Sequence, residues 1–571
     1  MPEAKTPSSA SASGKGIAAF LFVSGMCALI YQVVWMRELR LVFGASTPAT
    51  AAVLAVFMGG LGVGSHLLGK RADRVKRPFN MYATLEGGIA ISAALTPFFL
   101  MGARAIYVAL GGSQTLGPAF GTIVRLLLSA IVLLPPTLLM GGTLPAAARA
   151  ATHASDIGRV RTALLYGTNT LGAVTGAALS TFVMLEIFGT RFSLWIAATV
   201  NLLLAVLARV YDRRLAEAAP TTEVLDAEVI EDKDEKQAPP ASKAPTPFVL
   251  TAAAGVGLVF LLMELVWYRM LAPLLGGSSY TFGLILAVAL LGIGIGGFLY
   301  TMRSAVRPAD LRGFALSCGL EALFIGLPFA LGDRVALMAL FLRPTGVMGL
   351  WGHVLSWTLV TGVVVLPAAI VAGYQFPLLI ALLGRARQSV GQHVGLAYAF
   401  NTLGAIVGSL AGGVWLVPGL GCLGTWTLSV WILVVLGVAA IALDVRARSG
   451  YVRLLAPALA VLIAPALIHG AVGPTAVWRH SPIGAGRADE WLDGGTRNAL
   501  RENMHERRRA ITWEVDGRES TIGLYTLNDT AFLVNGKSDG AAVLDSGTQV
   551  MSGLLGAILH PGKIKHALVI G

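Results

Sequence analysis

Charge is what this sequence has least of. Only 13% of its 571 residues are Asp, Glu, Lys or Arg, about half the share a soluble protein carries. That shortage excludes a water-soluble globular enzyme over most of the length. Cysteine is scarce too: Cys27, Cys318 and Cys422 stand far apart inside apolar runs, so neither a disulfide framework nor a zinc spacing is available. None of the nine histidines forms a ligand pair at helical spacing. His66 and His353 read as interfacial or packed residues, and no metal site is expected. A basic helix or an aromatic-interleaved basic patch is also missing, so the net charge of +12 does not indicate nucleic acid.

Apolar residues make up 55% of the chain, with 68 glycines besides and a mean hydropathy of +0.72. This is a polytopic membrane composition, and the lipid bilayer is its first partner. The basic residues fall mainly in short loops between apolar runs, where they act as topology signals. Residues 1–16, rich in Ser and Ala, read as a disordered tail. A signal peptide is the weaker reading, because the apolar run after Lys15 is too long and has no small-residue cleavage site before Trp35.

Runs of about 20 apolar residues, the length a span needs, recur six times in 17–210 and six times in 247–445. A polar, Pro-rich and mostly acidic linker, 211–246, separates them and cannot form a packed core. The two series are copies. A shift of 232 takes Gly25, Trp35 and Arg37 to Gly257, Trp267 and Arg269. It takes Gly60, Gly62 and Gly64 to Gly292, Gly294 and Gly296, and Asn169-Thr170-Leu171-Gly172-Ala173 to Asn401-Thr402-Leu403-Gly404-Ala405. One offset across six segments defines a tandem duplication. Two parallel six-span repeats are the facilitator architecture. The glycines inside the spans read as helix-packing positions rather than a nucleotide loop, since no strand precedes them.

The loop after the second span, Gly69-Lys70-Arg71-Ala72-Asp73-Arg74-Val75-Lys76-Arg77, is similar to the facilitator motif G-x-x-x-D-R-x-G-R-R, with Gly69, Asp73, Arg74 and Arg77 at matching positions and Lys76 in place of the second glycine. Its five basic residues place it in the cytoplasm. Within the spans, Glu86, Glu264 and Glu321 are carboxylates at bilayer depth, and Gln32 is the repeat partner of Glu264. Each costs about 3 kcal/mol to insert and should face a partner or a wet cavity. Two readings stay open: a cation or proton site, attractive for a polyamine ligand, or inter-helix hydrogen bonds by carboxyls kept protonated.

Residues 446–477 hold one more apolar segment, a thirteenth span or an interfacial stretch. From 478 to 571 the composition turns polar. Short alternating segments with turns at Asp516-Gly517 and Asn535-Gly536 read as a β-meander. A helix over Ser546 to Leu559 follows, and then the buried-type strand HALVIG. These strands, the Gln-bearing helix, His560-Pro561 and VIG resemble the start of a spermidine synthase, a polyamine aminopropyltransferase. Together with SGMCALIYQVVWMREL and LLPPTLLMGGTLP in the membrane part, the chain resembles the bacterial branch that fuses that enzyme to a facilitator-like domain.

The resemblance implies a small β-rich domain plus the first strand of a Rossmann-type domain, with decarboxylated S-adenosylmethionine as co-substrate in intact relatives. Of the donor and amine positions, Gln549 matches, while Asp539 and Thr548 stand where the family has Gln and Tyr. The glycine-rich donor loop and the catalytic Asp fall beyond Gly571. The resemblance therefore implies truncation, no cofactor bound by this chain and no catalysis unless a separate chain completes the domain; a homo-oligomer is the other partnership it implies. Alternatives are a facilitator-type transporter, a membrane sensor or scaffold, or an S-adenosylmethionine-dependent methyltransferase-like fusion. The resemblance implies a bacterial inner-membrane location; loop charges favour an interfacial segment at 446–477 and a cytoplasmic C-terminal domain.

Overall fold

The computed structural model describes residues 9–43, 47–151, 160–218, 244–304, 307–384, 390–447, 454–488 and 496–567. Long apolar helices dominate because a backbone in hydrocarbon must satisfy its hydrogen bonds internally. The first repeat comprises α1 (Ser9–Phe43), α2 (Thr47–Arg74), α3 (Pro78–Ala109), α4 (Gly112–Ala151), α5 (Val160–Leu179) and α6 (Gly189–Ala218). The second comprises α7 (Thr246–Leu275), α8 (Ser279–Ser304), α9 (Leu311–Leu331), α10 (Leu350–Leu383), α11 (Val390–Ala411) and α12 (Val417–Ala447). A short helix, Arg334–Leu342, precedes α10. Helix α1 starts at Ser9, inside what the sequence reads as a tail to residue 16. Most of the linker lies outside the described residues.

Among the described residues, eleven continuous apolar stretches are long enough to cross a membrane, the last being the 56-residue run Val390–Val445. A helix of that length would measure about 84 Å against a hydrocarbon core of about 30 Å. It is two spans, broken at Gly421, whose φ of 73° and ψ of 170° are not helical. The repeat partner of Gly421 is Gly189, which breaks the first repeat with φ +67°. Twelve spans result, as the duplication predicts. Both repeats also carry a π-helical turn at equivalent positions, Ser180–Met184 after α5 and Gly412–Leu416 after α11.

The span glycines are packing positions. A Cβ on Gly172 would lie 1.9 Å from the Phe22 carbonyl oxygen, and one on Gly404 would lie 1.8 Å from that of Ala254. The same close approach thus appears in each half, α1 on α5 and α7 on α11. Asp212 and Asp444, 232 apart, anchor equivalent ion pairs near the ends of α6 and α12, with Arg77 at 2.5 Å and Arg312 at 2.5 Å. The partner arginines differ in register by three residues, about one helical turn. All three cysteines are buried and free.

A shorter apolar helix follows. Helix α13 (Leu455–His469) packs against α9 and α12: Gly319 meets Ala460, Gly437 meets Val461 and Gly326 meets Ile468. This order runs it parallel to α9. Its 15 residues supply about 22 Å, and the stretch to Thr475 continues in contact with Phe329 and Gly332 through Gly473.

The C-terminal region follows as α14 (Arg497–Ala510), β1 (Ile511–Asp516), β2 (Thr521–Tyr525), β3 (Ala531–Val534), β4 (Lys537–Ala541) and α15 (Ser546–Leu559). The strands form one antiparallel sheet in the order β1-β2-β3-β4. The tight β3–β4 turn uses Asn535 (φ 48°) and Gly536 (φ 81°), both left-handed, as the Asn-Gly pair demands.

The basic loop of Gly69–Arg77 and the C-terminal sheet lie at opposite ends of the bundle: Asp73 meets the start of α11, whereas the sheet docks beside the ends of α7 and α9 and the start of α12. Helix α13 runs alongside α9 between these ends. The expected Rossmann strand has no support. His566 and Ala567 belong to no regular element, and Leu568–Gly571 lie outside the described residues.

Candidate functional site

Between the two halves lies a cavity of about 240 Å³. Its walls follow the duplication. Gln32 of α1 and Glu264 of α7 are repeat partners and both line it, as do Tyr166 and Tyr398, and Asn169 and Asn401. A pseudo-two-fold site at the repeat interface is the expected place for a solute in this architecture.

Glu86 enters from α3. Its side chain is fully buried, and its Oε1 accepts a hydrogen bond from Ser24 Oγ at 2.6 Å. Asn201 Nδ2 donates to the Glu86 main-chain carbonyl at 2.9 Å, fixing α6 on α3 beside the carboxylate. Glu86 Oε2 and the Tyr31 hydroxyl have no hydrogen-bond partner. On the opposite wall, Asn401 Nδ2 donates to the Ala253 carbonyl at 3.1 Å, holding α11 on α7, the helix that carries Glu264. Glu321 is also buried but lies outside this cavity, beside Gln375. The expected set of intramembrane polar residues therefore splits: Gln32, Glu86 and Glu264 come together and Glu321 does not. The asparagines and tyrosines were missed as site residues, although the duplicated Asn-Thr-Leu-Gly-Ala block carries the signal.

At the basic end the two halves touch. Asp73 Oδ1 accepts from the Gly391 amide at 2.9 Å and Oδ2 from the Gln392 amide at 2.8 Å. A carboxylate on the first free amides of α11 is an N-terminal cap, favoured by the helix dipole. Arg149 approaches Asp73 at 3.6 Å, and Gly69 packs on the Gly391 carbonyl. Arg77 pairs within its own half and Arg74 is exposed. At the far end Tyr280 donates a hydrogen bond to Glu186 across the halves, and its ring stacks on Phe182 in the π-turn.

The C-terminal sheet is held to the far end of the second half by charge. Asp516 accepts from the Cys422 amide at 2.8 Å, from Arg479 at 2.8 Å and from the Thr521 hydroxyl at 2.6 Å. Arg479 also pairs with Glu514, which accepts from His480 at 2.9 Å. Arg508 pairs with Asp333 at 2.7 Å, and Arg269 donates to the carbonyls of Gly517 and Arg518. The His480 hydrogen bond is the main influence holding Glu514 below the usual range. Burial raises Asp516, but Arg479, Thr521 and the Cys422 amide outweigh it and keep the carboxyl low.

Thr548 and Gln549 sit on the exposed helix α15, with the Gln549 amide against Gly540. Asp539 is in β4, and its side chain lies outside the described residues. No group of three or more metal-ligating side chains occurs among the described residues.

Twelve spans in two equivalent halves around a central cavity make this a polytopic helical membrane protein of facilitator-like fold. No family profile and no curated protein sequence matches the chain. Solved structures similar to it include the proton:xylose symporter XylE bound to 6-bromo-6-deoxy-D-glucose, at 14% identity and a TM-score of 0.45, covering 76% of this chain and 95% of that one. The human organic anion transporter MFSD10 is 14% identical with a TM-score of 0.41, covering 76% and 100%. A bacterial homologue of the iron transporter ferroportin, in an outward-facing state, is 14% identical with a TM-score of 0.46, covering 74% and 98%.

Proposed function

We propose that this chain is a facilitator-type transporter of a small solute. The observation that carries the reading is the central cavity, walled by repeat-equivalent residues from both halves. Such a site becomes accessible from one side and then the other when the halves rock about it. Contacts between halves stand at both ends, Asp73 with α11 at one and Tyr280 with Glu186 at the other. Either set can open while the other holds. The aminopropyltransferase reading draws no support from the exposed positions of Thr548 and Gln549.

Loop charge supports an orientation with Lys70–Arg77 on the cytoplasmic side. The C-terminal sheet then lies outside, away from any cytosolic nucleotide-derived donor. A cysteine at Gly553 should react with an impermeant maleimide applied from the outer side of sealed cells, and one at Lys76 should not. The reverse pattern overturns the orientation.

Alternating access is tested with Leu290→Cys in a chain lacking Cys27, Cys318 and Cys422. In right-side-out and inside-out vesicles the cavity cysteine should be labelled from both sides, each at a rate below that of an exposed loop cysteine. Labelling from one side only, or from neither, refutes transport through this cavity.

A further inference from the structure

The charge inventory of the cavity points to its ligand class. Its lining contains two carboxylates, Glu86 from the first half and Glu264 from the second, and no lysine, arginine or histidine. Glu86 is fully buried with Oε2 unpartnered, and Tyr31, also fully buried, brings an unpartnered hydroxyl to the same space. Among the described residues no hydrogen bond or ion pair reaches the Glu264 carboxylate. An ionised carboxylate at this depth needs a counter-charge, and the residues lining the cavity supply none.

The remaining walls decide between kinds of cation. Phe57, Phe260 and Phe376 stand beside the two tyrosines of the repeat pair. Aromatic faces favour an ammonium with its attached methylenes. A bare metal ion instead wants a tight shell of six to eight oxygens, which these rings do not offer. The volume lies below the roughly 300 Å³ at which drug-sized sites begin, so the ligand is small.

We propose that the cavity binds a small organic cation, an alkylammonium or short diammonium, with Glu86 and Glu264 meeting its charge from opposite halves. The inference rests on the transport reading for the meaning of the site, while binding itself is measurable without transport. The pseudo-two-fold adds a consequence. Because Gln32 and Glu264 occupy equivalent places, the carboxylate can be moved between halves and still face the ligand.

The test uses the purified full chain in detergent micelles and three probes of equal length and falling charge: 1,5-diaminopentane, n-pentylamine and 1-pentanol. Calorimetry should rank the diamine first and show no binding of the alcohol. Glu264→Gln and Glu86→Gln should each weaken the diamine at least tenfold. The exchange Gln32→Glu with Glu264→Gln should restore it, which separates a charge effect from misfolding. The diamine should also slow maleimide labelling of Leu290→Cys in micelles. Equal affinity for diamine and alcohol, or diamine affinity unchanged in both Glu→Gln variants, overturns the assignment. Labelling of the vesicle cysteine from both sides with no charge dependence among the probes sinks the cation class alone. Labelling from one side only with charge-dependent binding sinks transport and leaves the cation site standing.

Discussion

Asp516 is where the sheet, the Arg479 turn and the break between α11 and α12 converge, and replacing it with asparagine tests how the C-terminal region is held. The side chain is 2% exposed and its three partners are the Cys422 amide, Arg479 and Thr521. Removing one partner of a buried ion pair costs about 3–5 kcal/mol, because the other charge is left uncompensated. Arg479 keeps its second partner Glu514, which is 37% exposed and correspondingly screened. The lower end, about 3 kcal/mol, is therefore the working figure for Asp516→Asn. That corresponds to roughly a hundredfold shift in the docking equilibrium. Hydrogen exchange read by mass spectrometry should show β1 and β2 losing protection by that factor, while α2 and α4 keep theirs. A variant whose sheet exchanges at the wild-type rate would refute the claim that this carboxylate carries the junction.

Further outcomes follow from the same contacts. Glu514 and Asp516 both sit below their usual range, so their contribution to docking is complete above the unfolded carboxylate range. It falls away as pH drops through the lower folded values. Docking followed by hydrogen exchange should hold at pH 5 to 6 and weaken only in stronger acid. Gly404→Ala should lower the thermal midpoint in detergent by an amount matching about 1–3 kcal/mol, since its Cβ meets backbone. Gly362→Ala, with nothing within 4 Å, should leave the midpoint unchanged. Asp73→Asn should raise maleimide labelling of Leu290→Cys from the basic end severalfold, as the cap on α11 is weakened; unchanged labelling would show that this contact does not close that end.

Much of the bundle is legible in the sequence because duplication doubles every signal. Gly189 and Gly421 each break a helix at the same place in the copy, and the shift of 232 counts twelve spans even where two of them run together. Gln32 and Glu264 are visible as a pair for the same reason. The cavity's other walls were harder to see. Asn169 and Asn401 read as copies but not as lining, since linear order does not say which face of α5 or α11 turns inward. Glu321 shows the converse. Its depth in a span is readable, yet its repeat partner is Ile89, and only packing tells that it faces Gln375 rather than the cavity. The path of residues 446–477 was not legible, because α13 has only 15 residues and hydropathy alone does not reveal that Gly319 and Gly437 leave a groove for it.

The two halves have diverged in a way that ties these sites together. Arg37 is exposed in the first half, while its copy Arg269 is buried and donates to the sheet's backbone. Asp333, Cys422 and Arg343 meet the C-terminal region from the second half as well. The sheet is thus a rigid addition to one half, and Trp478 is drawn into that half's core through a hydrogen bond to the Met270 carbonyl at 2.6 Å. If the halves rock about the cavity, α7 must carry Glu264 and the docked sheet as one body, since Met270 and Arg269 lie within two turns of Glu264 on the same helix. Loosening the sheet by Asp516→Asn should then leave cation affinity intact while altering how fast the cavity cysteine is labelled from the far end. A change in affinity without a change in labelling would mean instead that the sheet shapes the site and does not move with it.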